Sequence, residues 1–450
     1  MTIAQVLPDG TVYSRRKDIC PFDTRSLDEY RSVVEEERID KLLSLAQRLK
    51  GLKILELNST ANGGGVAEML YSSVPLLNRI GLEAEWKVIQ GNASYFECTK
   101  KLHNLLQGKK GSFGRELRQI YNNHLLEAVS DNIIDYSPDV VIVHDPQPML
   151  LCRYLKKEGQ SWLWRCHLDL EPSVKARNGM SKLLEDWVSD YDAAIFSAAR
   201  YIFPPWLIPK FVIPPFIDPF SEKNRELSEE EISSVLNKYE IDPELPIIAQ
   251  IGRFDPWKGL DRTIATYREV RRERKCQLLL AGGFASDDPE GARVLENIQE
   301  MTGNDRDVRI LRLSLSNRLE NYREVNALQR AASVIMQPST REGFGLVVTE
   351  ALWKAKPVIA SNVGGIRFQI KQGDTGYFYE NPRKTARRVI NLLDSARASE
   401  RIGNRGKKYV QKHFLIVDRI ADYLRAMDIT MNSHFGSTKM AECVTSFHPW

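Results

Sequence analysis

Short, nearly apolar runs alternate with amphipathic segments along most of this 450-residue chain, and that rhythm restricts its folds more than any other feature. Asp139-Val140-Val141-Ile142-Val143-His144 is β-branched and almost wholly apolar, as a central strand of a parallel sheet should be. Similar runs are Lys53 to Leu57, Glu85 to Ile89, Trp162 to His167, Ala193 to Phe196 and Phe211 to Ile213. The connectors between them are long enough for crossover helices, such as one from Val66 to about Ile80. A polar stretch, Ser221 to Pro246, holds a helix over Glu229 to Tyr239. Then the rhythm restarts, with strands at Pro246–Ile251, Gln277–Ala281, Val308–Leu311, Ala332–Gln337 and Pro357–Ala360, and a helix over Leu260 to Glu273.

Two such series, divided by a proline-rich hinge near 204–219, predict an α/β protein of two Rossmann-like, doubly wound lobes. The expected division is 1–215 for the first lobe and 216–412 for the second, with a helix over about 413–430 and a flexible tail over 431–450. Leu415, Ile416, Ile420, Leu424 and Met427 recur at helical spacing, so one face of that last helix needs a partner. Sheets of this kind bind ligands at the carboxyl ends of their strands, which predicts a site in the cleft between the lobes.

Composition removes several classes of function. A net charge of +4 over the chain leaves no footprint for nucleic acid and no polybasic membrane tether. The greasiest stretch, Phe203 to Phe220, is broken by Pro204, Pro205, Pro209, Pro214, Pro215 and Pro219, so no run reaches the ~18 apolar residues of a membrane span. Six scattered cysteines without a C-x-x-C pair read as buried or free thiols in a reducing compartment. No H-E-x-x-H pair suggests zinc, and the first residues lack the apolar core of a leader. These features together predict a cytoplasmic protein.

Four strings carry candidate chemistry. Gly63-Gly64-Gly65-Val66-Ala67-Glu68 follows the first strand and opens a helix, so its backbone can approach an anion. It is neither a dinucleotide fingerprint nor a P-loop, and a plain tight turn explains it equally well. Gly252-Arg253-Phe254-Asp255-Pro256-Trp257-Lys258-Gly259 puts two cations at a strand end, where they can clamp a diphosphate or remain solvated loop charges. Glu342-Gly343-Phe344-Gly345-Leu346-Val347-Val348-Thr349-Glu350 sets one carboxylate before a helix and another inside it. Amides at Gly343, Phe344 and Gly345 can hold hydroxyls or phosphate oxygens, and carboxylates accept paired hydrogen bonds from vicinal sugar hydroxyls. Finally, Trp164 to Asp169 and His144-Asp145-Pro146-Gln147-Pro148 end two strands of one lobe, each with a histidine beside an acid. His167 is placed to donate to a sugar hydroxyl or to stabilise developing charge.

These strings resemble the retaining family-4 glycosyltransferases of the GT-B fold, and most closely their trehalose glycosyltransferring synthases. The similar strings also include Asn58 to Glu68, His103-Asn104, Leu106 to Gly108, Pro214 to Pro219 and Asp287 to Gly291, and they span roughly residues 25–430. Residues 1–20 and the tail match nothing in that pattern. The resemblance implies two Rossmann-like lobes with the last helix crossing back to the first. It implies that His167, Arg253, Lys258 and Glu342 are catalytic. Gly64, Gly65, Arg253, Lys258, Glu342, Gly343, Phe344, Gly345, Leu346 and Glu350 would bind the nucleotide-sugar donor, with Glu350 on the ribose. His144, Asp145, Gln147 and Asp169 would line the acceptor side. The implied reaction joins a nucleoside-diphosphate glucose (UDP- or ADP-glucose) to glucose, reversibly and with retention, giving trehalose. It implies no cofactor and no required metal. Its partners would be small sugars and sugar nucleotides, with no nucleic acid or membrane, and a homodimer is compatible with it.

Two alternatives share the strings. A trehalose phosphorylase would put phosphate where the diphosphate lies, although Glu350 then has no ribose to hold. A non-catalytic sugar-nucleotide-binding protein would be expected to have lost some of Arg253, Lys258, Glu342 and His167.

Overall fold

The computed structural model describes residues 26–61, 64–131, 133–171, 179–202, 206–283, 289–314 and 317–433, and the backbone of 11–13. Residues 216–415 form one compact unit, and the described residues before 216 form another together with the helix that starts at Ile416.

The first unit is built on a seven-stranded sheet in the order β1-β3-β2-β4-β5-β6-β7. Its strands are β1 (Thr11–Tyr13), β2 (Lys53–Asn58), β3 (Glu83–Val88), β4 (Val140–His144), β5 (Ser161–Cys166), β6 (Ala193–Phe196) and β7 (Lys210–Val212). All neighbours run parallel except β1, which pairs antiparallel with β3 at the edge. Every residue of β4, β5 and β6 is buried, which is why these runs carry apolar side chains on both faces.

The second unit carries an all-parallel sheet in the order β10-β9-β8-β11-β12-β13. Its strands are β8 (Ile247–Ile251), β9 (Gln277–Gly282), β10 (Val308–Arg312), β11 (Val334–Gln337), β12 (Val358–Ala360) and β13 (Tyr377–Phe378). Strands β1 and β13 went unanticipated because two or three residues are too few to show a period.

Each sheet reverses its strand order once beside its first central strand. In the first unit β2 has β3 on one side and β4 on the other, and in the second β8 has β9 and β11. The loops leaving β2 and β4, or β8 and β11, therefore diverge and leave a crevice at their carboxyl ends. The Gly64, His144, Arg253 and Glu342 strings all leave those four strands.

The last helix begins and ends later than the expected 413–430. A helix over Ala396–His413 ends at Phe414 (φ −131°, ψ 19°), and the final one runs over Ile416–Ser433, so residues 431–433 belong to it and not to a tail. Leu415 precedes the helix and bridges to Ile217 within the second unit. Ile416, Ile420, Leu424 and Met427 are buried in the first unit, where the helix packs on β5 and on the helices Glu36–Arg48 and Gly65–Arg79. Arg38 grips Asp418 through two nitrogens, and Arg48 donates to Asp428 at 2.9 Å. No helix among the described residues is long and apolar enough to cross a membrane. Gly63, Asp287, Asp288, Cys20, Cys443, His434 and His448 lie outside the described residues.

Candidate active site

In the second unit, β8 runs into a loop that closes as one 3-10 turn, Pro256–Lys258. Asp255 caps that turn by accepting the Trp257 N–H at 2.8 Å. Gly259 follows at φ +65°, and a Cβ there would stand 2.3 Å from the Pro338 carbonyl oxygen. Only glycine allows this loop to lie against the loop leaving β11. The Thr340 N–H donates to the Trp257 carbonyl at 2.7 Å and fastens the same two loops.

That contact delivers Lys258 to Glu342. The ammonium donates to Glu342 Oε2 at 2.6 Å, and Ser339 Oγ donates to the same oxygen at 3.3 Å. Both side chains of the pair keep some exposure, 17% and 14%. Arg253 on the same loop is exposed, and the Arg341 guanidinium lies 4.9 Å from the centre of the Trp257 ring. Gly345, at φ +84°, opens the helix Leu346–Trp353, and a Cβ on it would lie 3.0 Å from Glu342 Cγ. Phe344 is buried with its ring 5.5 Å from that of Phe414, so its side chain packs and only its backbone can meet a ligand.

Glu350 sits in this helix, 1% exposed. Its Oε1 is 3.0 Å from Lys223 Nζ, and Gln329 Nε2 donates to Oε2 at 3.3 Å. Lys354, one turn further on, donates to Asn224 Oδ1 at 3.1 Å. Burial brings the Lys354 ammonium down to about 7, and the Glu350 carboxylate partly offsets that. Lys223 escaped the sequence reading because it lies in a polar linker without a period.

In the first unit, Gly64 caps the helix Gly65–Arg79 in extended conformation, and a Cβ on it would meet nothing within 4 Å. Among the described residues nothing crowds Gly64 at this helix N-terminus, where an anion is favoured. His144 ends β4, and His167 directly follows the neighbouring β5. Their rings are nearly parallel, 11° apart at 5.3 Å between centroids, and His144 Nδ1 lies 3.0 Å from His167 Nε2. His144 Nε2 lies 2.7 Å from Glu56 Oε2 on β2, both side chains being buried. Burial pushes the His167 imidazole well below its ordinary value, and Arg165 and His144 push it the same way. Arg165, fully buried on β5, lies 5.8 Å from the Tyr423 ring centre on the last helix. Glu56 and Arg165 were passed over as parts of strand runs, although a charge inside an otherwise apolar central strand is itself a signal.

Asp145 adopts φ +61°, a conformation a non-glycine residue rarely takes. The turn is tied down by Asp145 N–H to the Arg165 carbonyl at 2.8 Å and by Trp164 Nε1–H to the Asp145 carbonyl at 3.0 Å. Its carboxylate accepts the His167 backbone N–H at 2.8 Å. Gln147 Oε1 is buried without a hydrogen-bond partner among the described residues, and Asp169 accepts the Glu171 N–H at 3.0 Å.

Burial raises the Asp145 carboxyl from 3.8 to about 6, against the pull of the His167 N–H and of His144 and Arg165. The unfolded chain ionises this carboxyl from 3.8 upward while the folded one keeps its proton until about 6, so the cost is absent below 3.8, grows between 3.8 and about 6 and is constant above that. Asp145→Asn keeps the acceptor and tolerates the backbone. It is expected to melt higher than the parent at about pH 8, by about 1–2 kcal/mol after discounting for partial exposure, and to converge with it near about pH 4. Parallel melting curves across that range check it.

Thus the structure brings His144, Asp145 and His167 together in the first unit, with Gln147 and Asp169 on the same strand-end loops. In the second it brings together Lys258 and Glu342, with Arg253 on the Lys258 loop and Glu350 in the next helix.

Residues 56–203 match the family of trehalose synthase N-terminal domains, and residues 232–409 match the glycosyl transferases group 1. A trehalose synthase of Pyrococcus horikoshii is 44% identical over 89% of this chain and 95% of its own. One of Rubrobacter xylanophilus is 40% identical over 89% and 96%. A trehalose phosphorylase of Pleurotus sajor-caju is more distant, 27% identical over 80% of this chain and 55% of its own. Among solved structures, the trehalose-6-phosphate synthase OtsA superposes with a TM-score of 0.67 over 85% of this chain and 99% of its own, at 13% identity. That likeness establishes the GT-B fold. Similarity at 40% and above over nearly the whole chain establishes more: the protein is a hexosyltransferase of the trehalose synthase family, within the group 1 glycosyltransferases.

Proposed function

We propose that this enzyme transfers glucose, with retention, from a nucleoside-diphosphate glucose to free glucose, forming trehalose reversibly. The observation that carries this reading is the Lys258–Glu342 pair at the crevice of the second sheet, Nζ to Oε2 2.6 Å. A cation beside a carboxylate serves a ligand that is anionic on one side and hydroxylated on the other, as a sugar diphosphate is. Lys258 and Arg253 take the diphosphate, and Glu342 takes donor-sugar hydroxyls with the backbone from Gly343 to Leu346. Glu350, fixed by Lys223 and Gln329, holds the ribose. Gly64 and Gly65 add the open helix N-terminus to the phosphate side. His167 meets the reacting sugar, and Asp145, Asp169 and the unpartnered Gln147 Oε1 face the acceptor, while His144, buried with both ring nitrogens engaged, backs His167.

In the reaction the bond from the anomeric carbon to the phosphate oxygen breaks. The acceptor oxygen bonds to that carbon on the same face, and its proton passes to the departing phosphate. Negative charge on the leaving group is met by Lys258 and Arg253, so the reading invokes no metal or cofactor. Scattered cysteines without a C-x-x-C pair suit a reducing compartment such as the cytoplasm. The phosphorylase reading is disfavoured by Glu350, which would have no ribose to hold.

The test is incubation of the purified chain with glucose and each of UDP-, ADP- and GDP-glucose, with the product resolved by chromatography and its anomeric configuration by NMR. An α,α-linked disaccharide with release of nucleoside diphosphate is expected. No disaccharide from any of these donors overturns the reading.

A further inference from the structure

We infer that Glu56 and His144 are positioning residues that fix the tautomer of His167, so that His167 offers Nδ1 to the sugar as a hydrogen-bond acceptor. This rests on the proposed reading of His167 as a sugar-facing residue. Three neighbouring strands supply the chain: Glu56 from β2, His144 from the end of β4 and His167 just beyond β5. Its links are Glu56 Oε2 to His144 Nε2 at 2.7 Å and His144 Nδ1 to His167 Nε2 at 3.0 Å.

The sense of each link follows from the chemistry of its ends. A carboxylate only accepts, so the proton of the first link sits on His144 Nε2. With its single proton on Nε2, His144 presents a lone pair at Nδ1, and His167 Nε2–H is the donor of the second link. His167 is held neutral by burial and by Arg165, so its remaining nitrogen, Nδ1, bears no proton. Among the described residues, the charged and titratable groups that act on this chain are Arg165 on β5, Asp145 on the loop after β4 and Tyr423 on the last helix. Arg165 opposes uptake of a second proton, which would turn Nδ1 into a donor.

Stability does not account for Glu56. A carboxylate 4% exposed inside a central strand costs free energy that an apolar residue would not. Its carboxylate oxygen is spent on orienting an imidazole that in turn orients the one residue of the chain that keeps partial exposure, His167. The acceptor sense also differs from the donor role expected for His167 from the sequence.

The full-length enzyme labelled with ¹⁵N-histidine, read by two-bond ¹H–¹⁵N spectra, tests this directly. The expected wild-type spectrum has His167 protonated at Nε2 and bare at Nδ1. Glu56→Met removes the acceptor at similar volume. It should yield a mixture of His167 tautomers and lower kcat by about 10- to 100-fold, with KM for the donor nearly unchanged. Glu56→Gln, whose amide oxygen accepts the same Nε2–H, should restore the wild-type tautomer and most of kcat. A wild-type His167 protonated at Nδ1 overturns the proposal. So does a Glu56→Met variant with wild-type kcat, and so does one that loses kcat without a change of tautomer, since that marks packing alone. If the wild type makes no disaccharide, the proposed reaction fails, while the spectra still decide the tautomer.

Discussion

Lys258→Ala is expected to lower kcat by about 10²-fold or more, with the protein folded and the donor KM little changed. The size follows from where the charge is needed. Negative charge grows on the departing diphosphate only as the glycosidic bond breaks, so a cation aimed at it acts mainly in the transition state. In the structure that ammonium is engaged by Glu342 at 2.6 Å. The pair keeps Lys258 in place on a loop that ends at the left-handed Gly259, and a diphosphate can then take over the ammonium without a search through rotamers. Steady-state kinetics of the variant, with glucose saturating, check it. A rise in KM alone would remove Lys258 from the leaving-group role and leave it as a binding residue.

Gly259→Ala is expected to cost about 3–5 kcal/mol in the stability of the second unit and to abolish most activity. The left-handed backbone accounts for about 1–2 kcal/mol of this. The rest comes from a methyl group 2.3 Å from the Pro338 carbonyl oxygen, which is backbone and cannot rotate aside. Relief requires the β8 and β11 loops to part, and that separates Lys258 from Glu342. Thermal melting and turnover measured on the same preparation check both halves. A variant that melts like the parent would show that the loops have room the structure does not indicate.

The lobes were legible because buried parallel strands carry apolar side chains on both faces. Val140 to Val143 and Leu278 to Ala281 could scarcely be anything else. Glycines at strand ends were legible as well, and Gly259 and Gly345 occupy left-handed backbone as such glycines do. Partnerships across the sheet were not. That Glu56 meets His144 depends on β2 and β4 being neighbours although β3 intervenes in sequence, and spacing carries no such adjacency. Lys223, in the linker that opens the second unit, and Glu350, in the helix Leu346–Trp353, also pair across a span that carries no such signal. Arg165 and Tyr423 meet only because the last helix packs on β5. Sequence strings thus point to the loops that carry chemistry, while the residues that steady those loops come from strands far off in the chain.

The placement of the final helix bears on how the protein is made. Ile416–Ser433 completes the core of a unit whose strands end at Val212, and residues 216–415 are synthesised in between. At about 5–20 residues per second, the ribosome takes roughly 10–40 s to cross that interval. During it, the faces of β5 and of the helices Glu36–Arg48 and Gly65–Arg79 that will receive Ile420, Leu424 and Met427 have no cover from their own chain. The second unit needs no such wait, because Ile217 and Phe414, at its two ends, hydrogen-bond to each other at 2.9 Å. Nascent chains of this protein therefore carry an exposed hydrophobic surface on their earlier lobe throughout synthesis of the later one.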